Sequence, residues 1–187
     1  MPELDNKIAL ITGAGRGIGQ AIAIAYAREG AKLSLAARSV PELEEIASEC
    51  RKLGAEVLVT PTDVTDAGQV EHLVSATVER YSTIDILVNN AGIPGPIGNL
   101  EDNDMAAWIS VIQVNLIGLY LCCRAVLPLM RRNNMGRIVN LSGAGAANAW
   151  ANMSAYCASK AAVVRLTEVL ALELEGTDIT VNALGPG

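Results

Sequence analysis

The apolar residues of this chain fall into short continuous runs, and longer stretches with helical spacing lie between those runs. Continuous apolar runs are typical of strands that are covered on both faces of a parallel sheet. The alternation predicts an α/β fold with a doubly wound parallel sheet and a ligand crevice where the strand order reverses. The first predicted strand ends at residue 12, and the others cover residues 32–36, 56–60, 84–89, 137–141 and 179–184. The predicted helices begin near residues 18, 39, 66, 105 and 155, and the fourth runs without a break to about residue 131.

The second predicted helix has a recognisable start. Residues 39–42 read Ser-Val-Pro-Glu, which is the S-x-x-E form of a capping box. In that motif the serine hydroxyl accepts from a backbone N–H inside the helix, and the glutamate reaches back to the serine N–H. We therefore assign Glu42 to the helix cap.

Composition narrows the classes of function. The 187 residues are 51% hydrophobic, which predicts one globular domain with a sizeable core. The net charge of −6 argues against nucleic acid or an anionic membrane as the main partner. The four cysteines have neither zinc-site nor C-x-x-C spacing and nothing at the N-terminus resembles a signal peptide, so we expect free thiols in the cytoplasm. The most apolar stretch, residues 111–130, contains Gln113, Asn115 and Arg124, and we expect a buried helix there and no membrane insertion.

A glycine-rich turn follows the first predicted strand. It reads TGAGRGIG, with Thr12, Gly13, Gly17 and Gly19 in a T-G-x-x-x-G-x-G pattern. A phosphate-binding P-loop is excluded because Gly19 is followed by glutamine, and the literal G-x-G-x-x-G fingerprint also fails. Glycines before a helix start leave room for a phosphate beside free N–H groups, although many such turns have no ligand.

Two arginines bear on the cofactor. An NAD-preferring site has Asp or Glu at the end of the second strand, where this chain has Ala36, Ala37 and Arg38. Arg38 could bind a ribose 2′-phosphate bidentately, and Arg16 in the glycine turn could reach the same group. We predict NADP(H) as the preferred cofactor, with NAD(H) as the second option. The alternative is that both arginines are solvated surface charges.

Tyr156 and Lys160 are the candidate acid–base pair. Four residues apart, they share one face of a predicted helix. A lysine ammonium nearby favours the phenolate and lowers the pKa of the tyrosine, so Tyr156 could exchange a proton with a carbonyl or alcohol as hydride moves. A Y-x-x-x-K sequence that stands alone is common on helices, where the ring packs and the lysine is solvated. Here it follows five predicted strands and the glycine turn, and this context favours the catalytic interpretation.

Together TGAGRGIG, Asn89-Asn-Ala-Gly92, Ser142, Tyr156-Cys-Ala-Ser-Lys160 and Gly185-Pro-Gly187 resemble the short-chain dehydrogenase/reductase family, whose fold is the Rossmann fold. The resemblance implies that Ser142 polarises the substrate oxygen, that Lys160 holds the nicotinamide ribose and that Asn115 holds a water for a proton relay. It also implies that Asp63 bonds adenine and that Pro186 and Gly187 lie against the nicotinamide. The cofactor-binding residues expected are Gly13, Arg16, Gly17, Ile18, Gly19, Arg38, Asp63, Val64, Asn90, Ala91, Gly92, Tyr156, Lys160, Pro186 and Gly187.

The chain departs from the family pattern in two places. The serine usually stands thirteen residues before the tyrosine, a position held here by Gly143, whereas Ser142 is fourteen before. We expect one extra residue in the loop 143–153, so that Ser142 still reaches the site; otherwise Ser142 is a structural strand-end residue. Family members also continue past the Pro-Gly segment with a lid and a seventh strand, so we expect residues 1–187 to be a C-terminally truncated single domain, or a protein without a lid.

Two function hypotheses follow. The first is an NADP(H)-dependent oxidoreductase acting on a small carbonyl or alcohol substrate, with a 3-oxoacyl thioester first by family similarity and a sugar, polyol or steroid-like alcohol next. The second is a non-catalytic nucleotide-binding or assembly subunit, which would not need Ser142, Tyr156 and Lys160. The resemblance further implies a homodimer or homotetramer formed through the long fourth helix and the Tyr156 helix. No metal site is predicted.

Overall fold

The computed structural model describes residues 3–186 and contains one parallel sheet. Its strands are β1 (Ile8–Thr12), β2 (Lys32–Ala37), β3 (Val57–Pro61), β4 (Ile86–Asn89), β5 (Gly136–Leu141) and β6 (Ile179–Leu184). They lie in the order β3-β2-β1-β4-β5-β6, and every neighbouring pair is parallel. The six predicted strands and the doubly wound α/β fold are thus confirmed. The order reverses between β1 and β4, which creates a crevice at their carboxyl ends.

Helices cover both faces of the sheet. They are α1 (Gly17–Arg28), α2 (Val40–Lys52), α3 (Ala67–Tyr81), α4 (Met105–Ile112), α5 (Leu119–Asn133) and α6 (Ser154–Glu173). Two single turns of 3₁₀ helix, Leu100–Asp102 and Ala144–Ala146, lie in loops. Where the sequence predicts one regular helix over residues 105–131, a π-helical segment, Gln113–Gly118, joins α4 to α5. That widened turn brings Asn115 into the interior.

The burial of β1 explains its unbroken apolar sequence. Ala9 and Ile11 point into the core cluster beneath α1 and α2, while Leu10 points into the opposite cluster with α3 and α5. All three side chains are 0–1% exposed. A strand in the middle of a sheet that is covered on both faces has no position for a polar side chain facing water, so every residue of its body is apolar.

The continuous helical stretch Met105–Asn133 is apolar and long enough to cross a membrane by length and composition alone. A core helix can have the same properties. Val111, Val126 and Met130 of this stretch are 0% exposed, and Val126 and Met130 belong to the core cluster on the α3 and α5 side of the sheet. Its apolar residues therefore serve, at least in part, to pack the helix onto the sheet.

Candidate nucleotide-binding and catalytic site

The glycine turn is held close to the loop after β4. Gly13 has a φ of +62°, and a Cβ there would lie 2.8 Å from the Cα of Ala91. The Asn90 side chain donates to the carbonyls of Thr12 and Gly13, at 3.1 and 2.9 Å. In return the Thr12 hydroxyl accepts from the N–H groups of Asn90 and Ala91. The asparagine–glycine segment and the glycine turn thus form one unit at the point where the strand order reverses.

A cleft of about 740 Å³ runs along the carboxyl edge of the sheet. It brings most of the predicted site residues together: Gly13, Arg16, Gly17, Ile18, Arg38, Asp63, Val64, Asn90, Ala91, Gly92, Ser142, Tyr156, Lys160 and Pro186. Two predicted residues do not line it. Gly19 is buried beneath the turn, where a Cβ would clash with the Gly13 carbonyl, and Asn115 is buried behind Gly92. The expectation for Gly187 falls outside the described residues.

One end of the cleft carries two exposed arginines. Arg16 precedes α1, and Arg38 follows β2. Neither takes part in an ion pair among residues 3–186. No side chain caps the start of α1, so its first N–H groups are available to an anion. This end of the cleft also includes Glu42, which the sequence analysis assigned only to a helix cap.

Asp63 lies beside the arginine end, in the loop after β3. Its Oδ1 accepts from the backbone N–H of Thr65 at 3.0 Å and from the Thr65 hydroxyl at 2.8 Å. The backbone N–H of Asp63 donates to Gln69 at 2.8 Å. These bonds fix the loop, and the carboxylate stays on the lining of the cleft.

Lys160 is buried at the other end of the cleft. Its Nζ donates to the carbonyl of Leu141, the last residue of β5, at 2.7 Å. Burial lowers the pKa of this ammonium to about 8, because a charged group is poorly solvated there. A cationic donor with one hydrogen-bond acceptor retains two further N–H groups for a ligand.

The direction of the Tyr156 pKa corrects the sequence-based expectation. In the protein alone, burial raises the pKa of the phenol, and the neighbouring Cys157 acts in the same direction. The Lys160 Nζ lies 5.8 Å from the centre of the tyrosine ring. Desolvation of the phenolate by burial is the largest effect on this pKa and acts against the lowering expected from the ammonium. In the protein alone, Tyr156 therefore holds its phenolic proton more firmly than a free tyrosine does.

Gly143 lies against the tyrosine hydroxyl. A Cβ at Gly143 would be 2.5 Å from the Tyr156 Oη. The residue thirteen positions before the tyrosine thus lies beside its hydroxyl, at the place where the family spacing expects the serine. Ser142 lines the cleft at the end of β5, and its backbone N–H donates to Leu184 at 2.8 Å.

Asn115 ties the π-helical segment to the loop after β4. Its Oδ1 accepts from the N–H of Ile93 at 2.8 Å, and its Nδ2 donates to the Ile93 carbonyl and the Ser159 hydroxyl, both at 3.0 Å. Ser159 in turn donates to the carbonyl of Tyr156. The amide lies beside Gly92, where a Cβ would be 3.3 Å from Oδ1 and 3.6 Å from the Lys160 Nζ. Asn115 thus connects the two helices that carry the site.

Trp150 is a cleft residue, whereas the sequence alone leaves open whether it packs at an interface or near the substrate. Its ring stacks on that of Tyr156, with centroids 6.0 Å apart and planes 9° from parallel, and it remains 42% exposed. Apolar side chains that line the cleft include Ile93, Pro94 and Met153. No local pattern around Trp150 distinguishes a cleft residue from a surface one, since its position depends on the loop between β5 and α6.

Known proteins resemble this chain over its whole length. A family model described as short chain dehydrogenase matches residues 7–187. A 3-oxoacyl-[acyl-carrier-protein] reductase of Synechocystis is 37% identical over 192 residues, which cover 100% of this chain and 76% of the relative. The structure of NAD⁺-bound xylitol dehydrogenase matches with a TM-score of 0.97 at 35% identity, covering 99% of this chain and 71% of that one. An actinorhodin polyketide ketoreductase with NADPH matches with a TM-score of 0.95 at 39% identity, covering 100% of this chain and 72% of that one.

The two solved structures differ in the nucleotide named with them, one NAD⁺ and the other NADPH, so they leave the preference of this chain open. Their agreement in fold extends over the glycine turn, the asparagine–glycine loop and α6. A match of this extent and identity places the chain in the short-chain dehydrogenase family, and it is an oxidoreductase that acts on carbonyl or alcohol groups.

Proposed function

We propose that this protein is an NADP(H)-preferring reductase that converts an apolar ketone to the corresponding alcohol. The observation that carries the proposal is a cleft with two exposed arginines at one end and Tyr156 beside the buried Lys160 at the other. A reductase needs a phosphorylated nucleotide held at one end and a proton donor at the other.

The lining of the cleft fits a dinucleotide. The N–H groups at the start of α1 would bind the pyrophosphate, and a Cβ at Gly17 would meet no atom within 4 Å, which leaves the turn open there. Arg38 and Arg16 would bind the 2′-phosphate, and Asp63 would bond the adenine amino group. The two free N–H groups of Lys160 would donate to the nicotinamide ribose, and Pro186 would lie beside the ring.

When bound, the reduced nicotinamide supplies a hydride to the carbonyl carbon. Tyr156 gives its phenolic proton to the carbonyl oxygen, so that hydride and proton together make the alcohol. Burial raises the pKa of the phenol in the protein alone, so the proton is in place on Tyr156 before the ketone binds. Lys160 stabilises the phenolate that remains, and Asn115 would hold the water through which the proton is restored. Ser142, on the cleft lining, would donate to the substrate oxygen.

The substrate end of the cleft is apolar. Trp150 stacks on the tyrosine, Met153 and Ile93 also line the cleft, and the buried Lys160 is the only cation among the described residues at that end. An acyl chain or a planar ring suits such a lining better than a polyol does, because burying hydroxyl groups without partners is costly. A 3-oxoacyl thioester is the first candidate, in keeping with the relative named 3-oxoacyl-[acyl-carrier-protein] reductase.

Location and assembly are part of the proposal. Cys50, Cys122 and Cys123 are buried free thiols, and burial raises the pKa of each to about 11 or 12, which suits a reducing cytoplasm. Val169 and Leu172 on α6 are 42% and 67% exposed. Their apolar side chains fit a homodimer or homotetramer in which α6 meets a second copy.

Equilibrium binding of NADPH and NADH tests the cofactor part. Arg38→Ala should weaken NADPH binding about 10- to 100-fold and leave NADH binding nearly unchanged, because a charge-assisted phosphate contact is lost. Arg16→Ala should act in the same direction. The matched control is Arg28→Ala, an exposed arginine in the last turn of α1. Equal losses for both nucleotides would contradict the assignment.

Loss of NADPH absorbance with a panel of ketones, including acetoacetyl thioesters, tests the chemistry. Tyr156→Phe should abolish turnover, at least about 100-fold, while retaining NADPH binding. Binding of NADPH without oxidation across the whole panel would instead favour a nucleotide-binding subunit.

A further inference from the structure

Glu42 adds a carboxylate to the arginine end of the cleft. It lies in the first turn of α2, is half-buried, and lines the same cleft as Arg16 and Arg38. A Cβ built on Gly15 would be 3.0 Å from the Glu42 Cβ and 3.1 Å from its Oε2. The acidic side chain therefore lies directly over the backbone of the glycine turn.

This carboxylate does not complete the predicted capping box. The Ser39 hydroxyl accepts from the Glu42 N–H at 3.4 Å, which is the serine half of the motif. The reciprocal bond, from the Ser39 N–H to the Glu42 carboxylate, is absent from the hydrogen bonds found among residues 3–186. Within that part of the chain the carboxylate also has no ion-pair partner, since the pairs present involve Glu44, Glu56 and Glu168. Its orientation toward Gly15 thus leaves its acceptor capacity free for a ligand.

The charges at this end of the cleft act in opposite directions on a nucleotide. A ribose with free hydroxyls can donate to a carboxylate, which is the favourable arrangement for NAD(H). A 2′-phosphate carries negative charge and is repelled by the same group, while it is attracted by guanidinium groups. The balance between Glu42 and the two arginines therefore sets the ratio of the affinity for NADP(H) to the affinity for NAD(H).

We infer that Glu42 is a cofactor-discriminating residue whose carboxylate favours a free ribose hydroxyl over a 2′-phosphate and so limits the NADP(H) preference that Arg38 and Arg16 confer. The inference rests on the proposed function for the place of the adenosine ribose. It differs from the usual acidic position at the end of β2, which is Ala37 here. The protein therefore binds both nucleotides, with a preference smaller than its two arginines alone would give.

Calorimetric titration with NADP⁺ and NAD⁺, and with adenosine 2′,5′-bisphosphate and 5′-AMP as fragments, tests this role without turnover. Glu42→Gln keeps the size of the side chain and removes its charge. We expect it to tighten binding of NADP⁺ and of the bisphosphate about 3- to 10-fold, and to leave NAD⁺ and 5′-AMP unchanged or weaker. Glu42→Asp, which keeps a carboxylate, should give a ratio between those of the wild type and Glu42→Gln.

The control is Glu45→Gln, an exposed acid on the same helix, which should leave all four affinities unchanged. A Glu42→Gln protein whose affinities for NADP⁺ and NAD⁺ change by the same factor, or not at all, would overturn the role of Glu42. Failure of the wild type to bind either dinucleotide would instead overturn the proposed function and this inference with it. Arg38→Ala separates the two, because it tests the phosphate site without reference to Glu42.

Discussion

A methyl group at position 143 would collide with the hydroxyl that we propose donates the proton. In Gly143→Ala the new Cβ would be 2.5 Å from the Tyr156 Oη, where ordinary van der Waals contact begins at 3.4 Å. The hydroxyl must therefore retreat by about 1 Å, a displacement that costs about 100-fold in rate when it affects a reacting group. The backbone at this residue, with φ 141° and ψ 163°, is in a region used essentially only by glycine. Strain there adds a loss of about 1–3 kcal/mol in the free energy of unfolding.

Two measurements separate these effects: kcat for ketone reduction with NADPH, and urea unfolding. Gly143→Ala should lower both quantities. The matched control is Gly54→Ala, since Gly54 also has a positive φ, of +93°, but a Cβ there would meet no atom within 4 Å. That variant should lose stability and keep its kcat. Gly143→Ser should behave like Gly143→Ala, despite restoring the serine that the family pattern has at this position.

A Gly143→Ala protein with a kcat within about 3-fold of the wild type would refute the steric reasoning, because the displaced hydroxyl would then be harmless. An increase in kcat for Gly143→Ser would show that this chain can still use a serine there. Ser142→Ala complements the series: wild-type kcat would remove Ser142 from the substrate-binding groups.

The remaining predictions concern Lys160 and Asn115. The pKa of Lys160 is about 8 in the folded chain and about 10.5 in the unfolded chain, so between these pH values the unfolded chain binds more protons. The free energy of unfolding should therefore rise with pH over this range. Ketone reduction should fall above pH 8, because Lys160 loses its charge there. Lys160→Arg keeps its charge and should remove that break from the pH–kcat profile; an unchanged break would assign it to another group. Asn115→Ala leaves three hydrogen-bonding groups of Ile93 and Ser159 without their partner, and should lose about 2–4 kcal/mol in urea unfolding. Gln113→Ala, at an exposed residue of the same segment, should be nearly neutral; equal losses would contradict the role of the amide.

The fold was predictable because the strands inside the sheet are largely apolar and buried. β1, β2 and β4 lie inside the sheet, and their continuous runs of buried residues distinguish them from amphipathic helices. The place of the cleft followed from topology, since the carboxyl ends of parallel strands share one edge. The features of the site that depend on sequence-distant contacts were not predictable.

The π-helical segment is one such feature. Residues 113–118 carry no local signal for a wider turn; the turn coincides with the hydrogen bonds of Asn115 to Ile93, twenty-two residues earlier. The raised pKa of Tyr156 likewise depends on burial, which a spacing of four residues cannot reveal. Glu42 matched a local motif, but its carboxylate lies toward Gly15 of another element. In each case the local structure or chemistry depends on contacts between residues that are far apart in the sequence.

The Asn115 amide pairs with both backbone groups of Ile93, much as a neighbouring strand would. The rim of the cleft is therefore anchored at one residue, while further along the same connection Ile97 and Leu100 are 73% and 68% exposed. Substitutions at those outer positions should therefore leave the rim of the cleft in place. Residues 97–105 do not line the cleft, so substitutions there should leave NADPH binding and kcat close to those of the wild type.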